Sequence, residues 1–296
     1  MEYRGTIYRP PLEANTFLLP VTEGCTHNRC RFCNMYKDTP FRMLPLDQVE
    51  GALRETRERY PGYCDRLKRV YLVGADPFVL SAKNLEERIG VVRKYLPNVR
   101  TVTMYARVTN IMGKHDEELL RLKELGVDDL YVGVECGLSG VLDSLGKGSS
   151  ADDAKEQCLR LNRAGIHHRD LLMLGTGGKG RGAECALATA RLENEIKPDM
   201  ILVHAMSAFV GTELEKDIQE GRFLPAGERE ILMEERTLLE NLDLPDTYFW
   251  GAHSLNSVMV DGLIGEEREE MLATLAHGIE HVDEAAINRT SRRGTL

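Results

Sequence analysis

Short apolar or β-branched runs alternate with longer stretches of helical spacing along most of the chain, and this alternation restricts the fold more than any other feature. The predicted strands are 17–22, 69–74, 101–105, 130–135, 170–175, 200–205 and 247–251. Predicted helices at 46–60, 83–95, 117–125, 151–164, 183–195 and 228–241 fall between them, with a last helical stretch at 266–281. Strand followed by helix, repeated, builds parallel βαβ units. Six or seven strands fall short of a closed eight-stranded barrel, so the expected fold is α/β, a partial (β/α)6-type TIM barrel with a parallel sheet. No Pro/Ser-rich linker divides the chain, which reads as a single domain over 1–296: the barrel at about 14–275, and a C-terminal helix end and polar tail at 276–296.

The 296 residues are enough for a large core. A formal net charge of -9 works against attraction of polyanions, and no Lys/Arg run with interleaved aromatics marks a track for long nucleic acid. No stretch has the length and apolarity of a membrane span or a secretory leader, so the expected location is cytoplasmic, without a membrane partner. Seven cysteines, an odd set with three inside nine residues, suit a reducing compartment and a metal site better than a disulfide framework.

Those three are Cys25, Cys30 and Cys33, spaced C-x4-C-x2-C directly after the first predicted strand. In parallel α/β barrels the functional groups gather at the carboxyl ends of strands, which is where this loop falls. Three thiolates can ligate three irons of a cubane and leave the fourth iron open. A zinc knuckle completed by His27 is the competing reading, although His27 lies inside the loop between the first two cysteines, where paired chelate spacing does not put a ligand. Cys64, Cys136, Cys158 and Cys185 are scattered and read as small buried hydrophobes, with Cys136, at a strand end, kept as a catalytic candidate.

The cysteine loop, with Phe32 before the last cysteine and Tyr36 after it, resembles the cluster-binding signature of the radical S-adenosylmethionine (SAM) superfamily, in its Elp3/MiaB/coproporphyrinogen-oxidase-like domain. The usual spacing there is C-x3-C-x2-C. Tyr8-Arg-Pro-Pro11, Met35-Tyr-Lys37 and Pro40-Phe-Arg42 are similar to an uncharacterised subgroup carrying the longer spacing, and the likeness runs from about Arg9 to Leu272. The resemblance implies a 4Fe-4S cluster on Cys25, Cys30 and Cys33, SAM as second cofactor, and an external one-electron reductant such as flavodoxin or ferredoxin. It also implies that the turn Gly74-Ala-Asp76-Pro77 meets the methionyl amino group of SAM, with Ala75 replacing the pattern's second glycine. Glu135 and Lys147 match a Gly-x-Glu-Ser-Gly … Lys-Gly pattern, with Cys136 in place of the serine, and are implied to hold the cofactor's polar groups. His253 and Asn256 occupy places where such proteins carry a His and an Asn, which makes both substrate-contact candidates and His253 a catalytic one.

Other candidates come from residue chemistry. Tyr105 and Arg107 close the third strand and could meet the cofactor or an anionic substrate group. Gly175-Thr-Gly-Gly-Lys179-Gly-Arg181-Gly182 lacks the Lys-Ser/Thr ending of a P-loop and reads as a mobile loop over the barrel mouth, with Lys179 and Arg181 available to a phosphate or carboxylate. His204 ends the sixth strand and either faces a substrate or packs in the core.

The expected activity is reductive cleavage of SAM to a 5′-deoxyadenosyl radical that takes hydrogen from a small polar metabolite. The barrel uses up the chain and no second cysteine cluster exists, which disfavours cobalamin-dependent methylation and auxiliary clusters. A lyase is favoured over an epimerase, mutase or dehydrogenase, with salvage of a modified nucleoside or nucleobase (a queuosine/queuine-type lyase) as one specific form. The reading from a different class is a non-catalytic iron–sulfur or zinc protein serving as a redox sensor.

Overall fold

The computed structural model describes residues 6–284; of the C-terminal helix end and polar tail expected at 276–296, residues 285–296 lie outside them. The strands are β1 (Phe17–Pro20), β2 (Thr22–Glu23), β3 (Arg42–Met43), β4 (Arg69–Val73), β5 (Thr101–Arg107), β6 (Val127–Glu135), β7 (His167–Leu174), β8 (Met200–Ala205), β9 (Tyr248–Trp250) and β10 (Asp261–Leu263). The helices are α1 (Leu46–Arg59), α2 (Pro61–Cys64), α3 (Ala82–Tyr95), α4 (Val108–Met112), α5 (Asp116–Glu124), α6 (Ser139–Ser144), α7 (Ala151–Ala164), α8 (Gly182–Ile196), α9 (Glu213–Gln219), α10 (Glu228–Glu240) and α11 (Ile264–His281). The main sheet runs in the order β1-β4-β5-β6-β7-β8-β9-β10, and β2 and β3 form a separate two-stranded pair.

Two compact units emerge from the packing of the described residues, one from 6–28, 35–133 and 157–168, the other from 29–34, 134–156 and 169–284. In the first, β1, β4, β5 and β6 pair in parallel, with Leu19 opposite Leu72, Leu72 opposite Met104 and Tyr105 opposite Tyr131. Val70, Tyr71, Leu72 and Val73 are all fully buried. Strands of a parallel sheet covered on both faces read as unbroken apolar runs, and β4 does. On α3 the buried positions Leu85, Ile89 and Val92 recur at helical spacing and give the helix its inward stripe. Ser81 caps that helix by accepting from the Asn84 N–H at 3.2 Å. The N-terminal segment is tied beneath β4 by Glu13, which accepts from Arg69 and, at 2.7 Å, from the Tyr131 hydroxyl.

In the second unit β7, β8 and β9 are parallel, and β10 returns antiparallel to β9 with Gly262 opposite Phe249. The α/β class and parallel order agree with the sequence expectation. The eighth strand was missed because Asp261-Gly-Leu263 carries no apolar alternation and is defined by its partner. The first predicted strand splits in two: after Pro20 the chain bends, and Thr22–Glu23 pairs with Arg42–Met43.

Candidate active site

The β2–β3 pair closes the base of the segment holding the three cysteines. Gly24 starts that segment at φ +68°, and a Cβ there would lie 2.4 Å from the Thr39 carbonyl oxygen and 2.6 Å from that of Pro40. Only glycine satisfies both restraints. Cys25, Cys30 and Cys33 are partly exposed, whereas Cys64, Cys136, Cys158 and Cys185 are buried, and no disulfide joins any of the seven, all of which are among the described residues. Asn28, itself at φ +44°, donates its backbone N–H to Cys25 Sγ at 3.4 Å. Burial, aided by the Asp76 charge, pushes the Cys25 thiol up, and a bound cation would reverse that.

Asp76 follows the Gly74 turn and reaches the cysteine segment. Its side chain is fully buried, and its carboxylate accepts from the Thr26 N–H at 3.3 Å and from the Thr26 hydroxyl. Burial raises its pKa, partly offset by these bonds, by the Arg107 charge and by Asn110. Asp76 thus anchors the residue following Cys25. Gly74 packs against the same region, since a Cβ there would come within 1.9 Å of Thr22 Oγ1. Tyr105 stacks edge-on with Tyr71 (5.7 Å) and Tyr131 (6.0 Å), and Arg107 begins α4 by donating its N–H to Asn110 Oδ1 at 2.8 Å.

In the second unit Cys30 and Cys33 flank Arg31 and Phe32. Phe32 packs against the cluster of Cys136, Val141, Leu142, Leu145, Met173 and Cys185. The Arg31 N–H donates to the Leu145 carbonyl at 2.9 Å. Those two contacts explain why an aromatic sits before the last cysteine: it seats the loop while the thiols on either side remain partly exposed. Cys136 is 1% exposed inside that cluster, where Cys185 is hydrogen-bonded to it and has its own thiol pushed up. The hydrogen bond from Cys185 lowers the pKa of the Cys136 thiol, so Cys136 is a buried, acidified thiol of this core cluster.

Glu135 ends β6 at φ +68°, an uncommon conformation for a non-glycine residue, and pairs with Lys147 at 2.5 Å with both side chains at or below 10% exposure. His204 and His253 lie with ring centroids 5.1 Å apart, and Trp250 stands edge-on to His253 at 6.1 Å. His253 Nδ1 accepts from the Leu255 N–H at 3.1 Å, so the neutral ring carries its proton on Nε2. Burial, together with His204, drives the His253 pKa down to about 4, and burial lowers His204 as well. Both rings are neutral at pH 7.

Asn256 is buried and hydrogen-bonded to the main chain. Its amide donates to the carbonyls of Val203 (3.0 Å) and Gly251 (2.7 Å), and its Oδ1 accepts from the Ala205 N–H (2.8 Å). It clamps the ends of β8 and β9 together. The glycine-rich loop is likewise held, contrary to the expected mobility: Gly175 N–H donates to Glu234 (2.9 Å), Lys179 N–H to the Leu224 carbonyl (2.8 Å), and Gly180 N–H to Glu230. Arg181 pairs with Glu184 at 2.9 Å, while exposed Lys179 borders a cavity of about 370 Å³ with Pro225, Arg229 and Met233.

Glu234 and its neighbour Glu235 are buried, and neither Glu235 oxygen has a hydrogen-bond partner. Burial pushes both up to about 8 from 4.5. The folded state keeps two protons that the unfolded chain releases near pH 4.5, so their contribution to stability is full below that pH and is lost as pH rises towards 8. Glu235→Gln should flatten this decline and raise stability at pH 8 by on the order of 2 kcal/mol, read from urea unfolding at pH 5 and pH 8. An unchanged slope would reject the assignment.

The chain matches the radical SAM superfamily over residues 19–192. It belongs to that superfamily. Its members are enzymes that use a 4Fe-4S cluster and SAM. No curated protein matches the sequence. Among solved structures it is similar to methylornithine synthase PylB at 15% identity and TM-score 0.54, covering 93% of this chain and 85% of that one. It is also similar to Elp3 of Methanocaldococcus infernus (14%, TM-score 0.55, 88% and 63%) and to HydG, a maturase of the [FeFe]-hydrogenase (17%, TM-score 0.54, 79% and 51%). At such identities the likeness concerns the fold, the partial barrel of a radical SAM protein. No helix among the described residues is long and apolar enough to cross a membrane.

Sequence reading missed Thr26 and Asp217, which hold the cysteine segment, and Asn110, which hydrogen-bonds Asp76. Thr26, adjacent to Cys25, was within reach of inspection; Asp217, 186 residues from Arg31, gave no signal.

Proposed function

We propose that this radical SAM protein is a lyase for a small polar metabolite, with Cys25, Cys30 and Cys33 as the cluster ligands. The observation that carries the reading is the set of three partly exposed cysteines on one short loop, seated by Phe32, in a chain of this superfamily. Three thiols and an open fourth position suit a cubane better than tetrahedral zinc. When bound, the cluster and SAM supply a 5′-deoxyadenosyl radical able to take hydrogen from an unactivated carbon. The chain's own residues bind, orient and exclude water. For the cofactor's ammonium, carboxylate and ribose the second unit offers Glu135 and Lys147, and the first unit, taken by itself, offers Arg107, Tyr105 and the Gly74 turn.

His253 offers a fixed Nε2–H donor beside Trp250, and His204 supplies a second neutral imidazole; these suit the polar edge and face of a planar ring. Lys179 and Arg181 are assigned to a peripheral anionic group. That set favours a modified nucleoside or nucleobase as substrate. Lyase chemistry is preferred to epimerisation because an epimerase needs a second hydrogen-atom donor, often a thiol, and the four cysteines outside the loop are buried. A set of seven cysteines without disulfides fits a reducing cytoplasm, where flavodoxin or ferredoxin would supply the electron.

The test is anaerobic reconstitution with iron and sulfide, reduction by dithionite, and mass-spectrometric detection of 5′-deoxyadenosine and methionine. Modified nucleosides are then added singly, and faster cleavage with a new free base is expected. Absence of 5′-deoxyadenosine, or stoichiometric zinc in a colourless protein, would refute the enzyme reading.

A further inference from the structure

Arg31, the first of the two residues between Cys30 and Cys33, is fastened from every side. The Arg31 N–H donates to the Leu145 carbonyl and its own carbonyl accepts from the Leu214 N–H, both at 2.9 Å. Its guanidinium donates to the Ser144 carbonyl (3.2 Å), to Glu213 (3.2 Å) and to Asp217 Oδ2. Asp217 lies on α9, whose N-terminus Thr212 caps by accepting from the Glu215 N–H at 3.1 Å. Its side chain is only 10% exposed, and Oδ1 accepts from Arg222 Nε (2.8 Å) and Nη2 (2.6 Å). One buried carboxylate thus bridges two guanidiniums, an arrangement stronger than an exposed ion pair.

The Asp217 backbone extends the connection. Its carbonyl accepts from the N–H groups of Arg222 (2.8 Å) and Phe223 (3.1 Å), which fixes the turn presenting Leu224. The Leu224 carbonyl accepts from Lys179 N–H at 2.8 Å, and a Cβ on Gly178 would fall 2.7 Å from that oxygen. The side chain of Asp217 therefore grips the segment of Cys30 and Cys33, while its main chain grips the support of the glycine-rich loop.

We propose that Asp217 is a positioning residue that holds Arg31, and with it Cys30 and Cys33, in the metal-binding conformation, and couples that segment to the glycine-rich loop. The proposal rests on the cluster assignment above. Its chemistry is that of an outer partner: it touches no iron but fixes the backbone carrying two ligands, and such partners typically change metal affinity by about 10–100-fold.

Asp217→Asn keeps the shape and removes the charge. The reconstituted variant is expected to lose iron to a chelator about 10-fold faster than the wild type, to show an altered EPR signal for the reduced cluster with SAM, and to exchange amide hydrogens faster at 29–34 and 175–182. Arg222→Gln, which spares the contact with Arg31, should speed exchange at 175–182 while leaving iron retention unchanged. The proposal is overturned by wild-type iron retention and EPR in Asp217→Asn, by exchange that rises uniformly through β7 and β8, or by iron loss in Arg222→Gln equal to that of Asp217→Asn. Failure of the wild-type protein to load iron would instead reject the cluster assignment itself.

Discussion

Cys30→Ala should yield a protein that takes up no stable 4Fe-4S cluster and forms no 5′-deoxyadenosine above background. Cys30 is partly exposed and outside the core cluster that Phe32 enters, so its truncation removes little packing. The loss therefore belongs to the metal and not to the fold. Since removal of an outer partner already costs about 10–100-fold in affinity, removal of one of three ligands exceeds that. Cys185→Ala is the matched control: it cuts into the buried cluster, lowers stability by about 1–2 kcal/mol and leaves cluster uptake intact. Iron and sulfide content, EPR of the reduced protein and product analysis check both. Retained SAM cleavage in Cys30→Ala would mean that the ligands are misassigned.

Lys147→Met is expected to destabilise the protein by about 3–5 kcal/mol, because it strands the Glu135 carboxylate in a site where that side chain is 10% exposed. Glu135 cannot easily turn to water, for it sits at a left-handed strand end at φ +68°. Glu135→Gln with Lys147→Met removes both charges and should recover most of the loss, so a double-mutant cycle by urea denaturation gives a large coupling. If these residues also hold the cofactor, the double variant will be stable yet weak in SAM binding, measurable by calorimetry on the reconstituted protein. A loss below about 1 kcal/mol in Lys147→Met would place the pair among ordinary surface bridges.

Most of the scaffold was legible, for reasons visible in particular segments. Met200–Ala205 is an apolar run buried almost throughout, and Ala151–Ala164 has clean helical spacing; both were delimited without error. The β2–β3 pair and β10 were not, because two- and three-residue strands have no periodicity of their own. Helix α9 escaped because Glu213-Leu-Glu-Lys-Asp-Ile-Gln219 is mostly charged, and its worth lies in what Asp217 grips. Sequence also gave the kind of residue near the site without its direction. Asp76 was recognisable as a strand-end acid, but only the fold reveals that it faces Thr26. Asn256 was recognisable beside His253, yet whether an amide meets a ligand or the main chain depends on backbone groups at Val203 and Ala205, 53 and 51 residues earlier.

That Asn256 clamp has a bearing on how the two histidines would respond to acid. It ties the backbone on either side of His204 to the strand end leading to His253, using amide and peptide groups that hold no exchangeable charge at any physiological pH. Acidification can change the electrical state of the imidazoles but not the ruler that spaces them. Charge gained in acid would set the two rings against each other at an unaltered spacing.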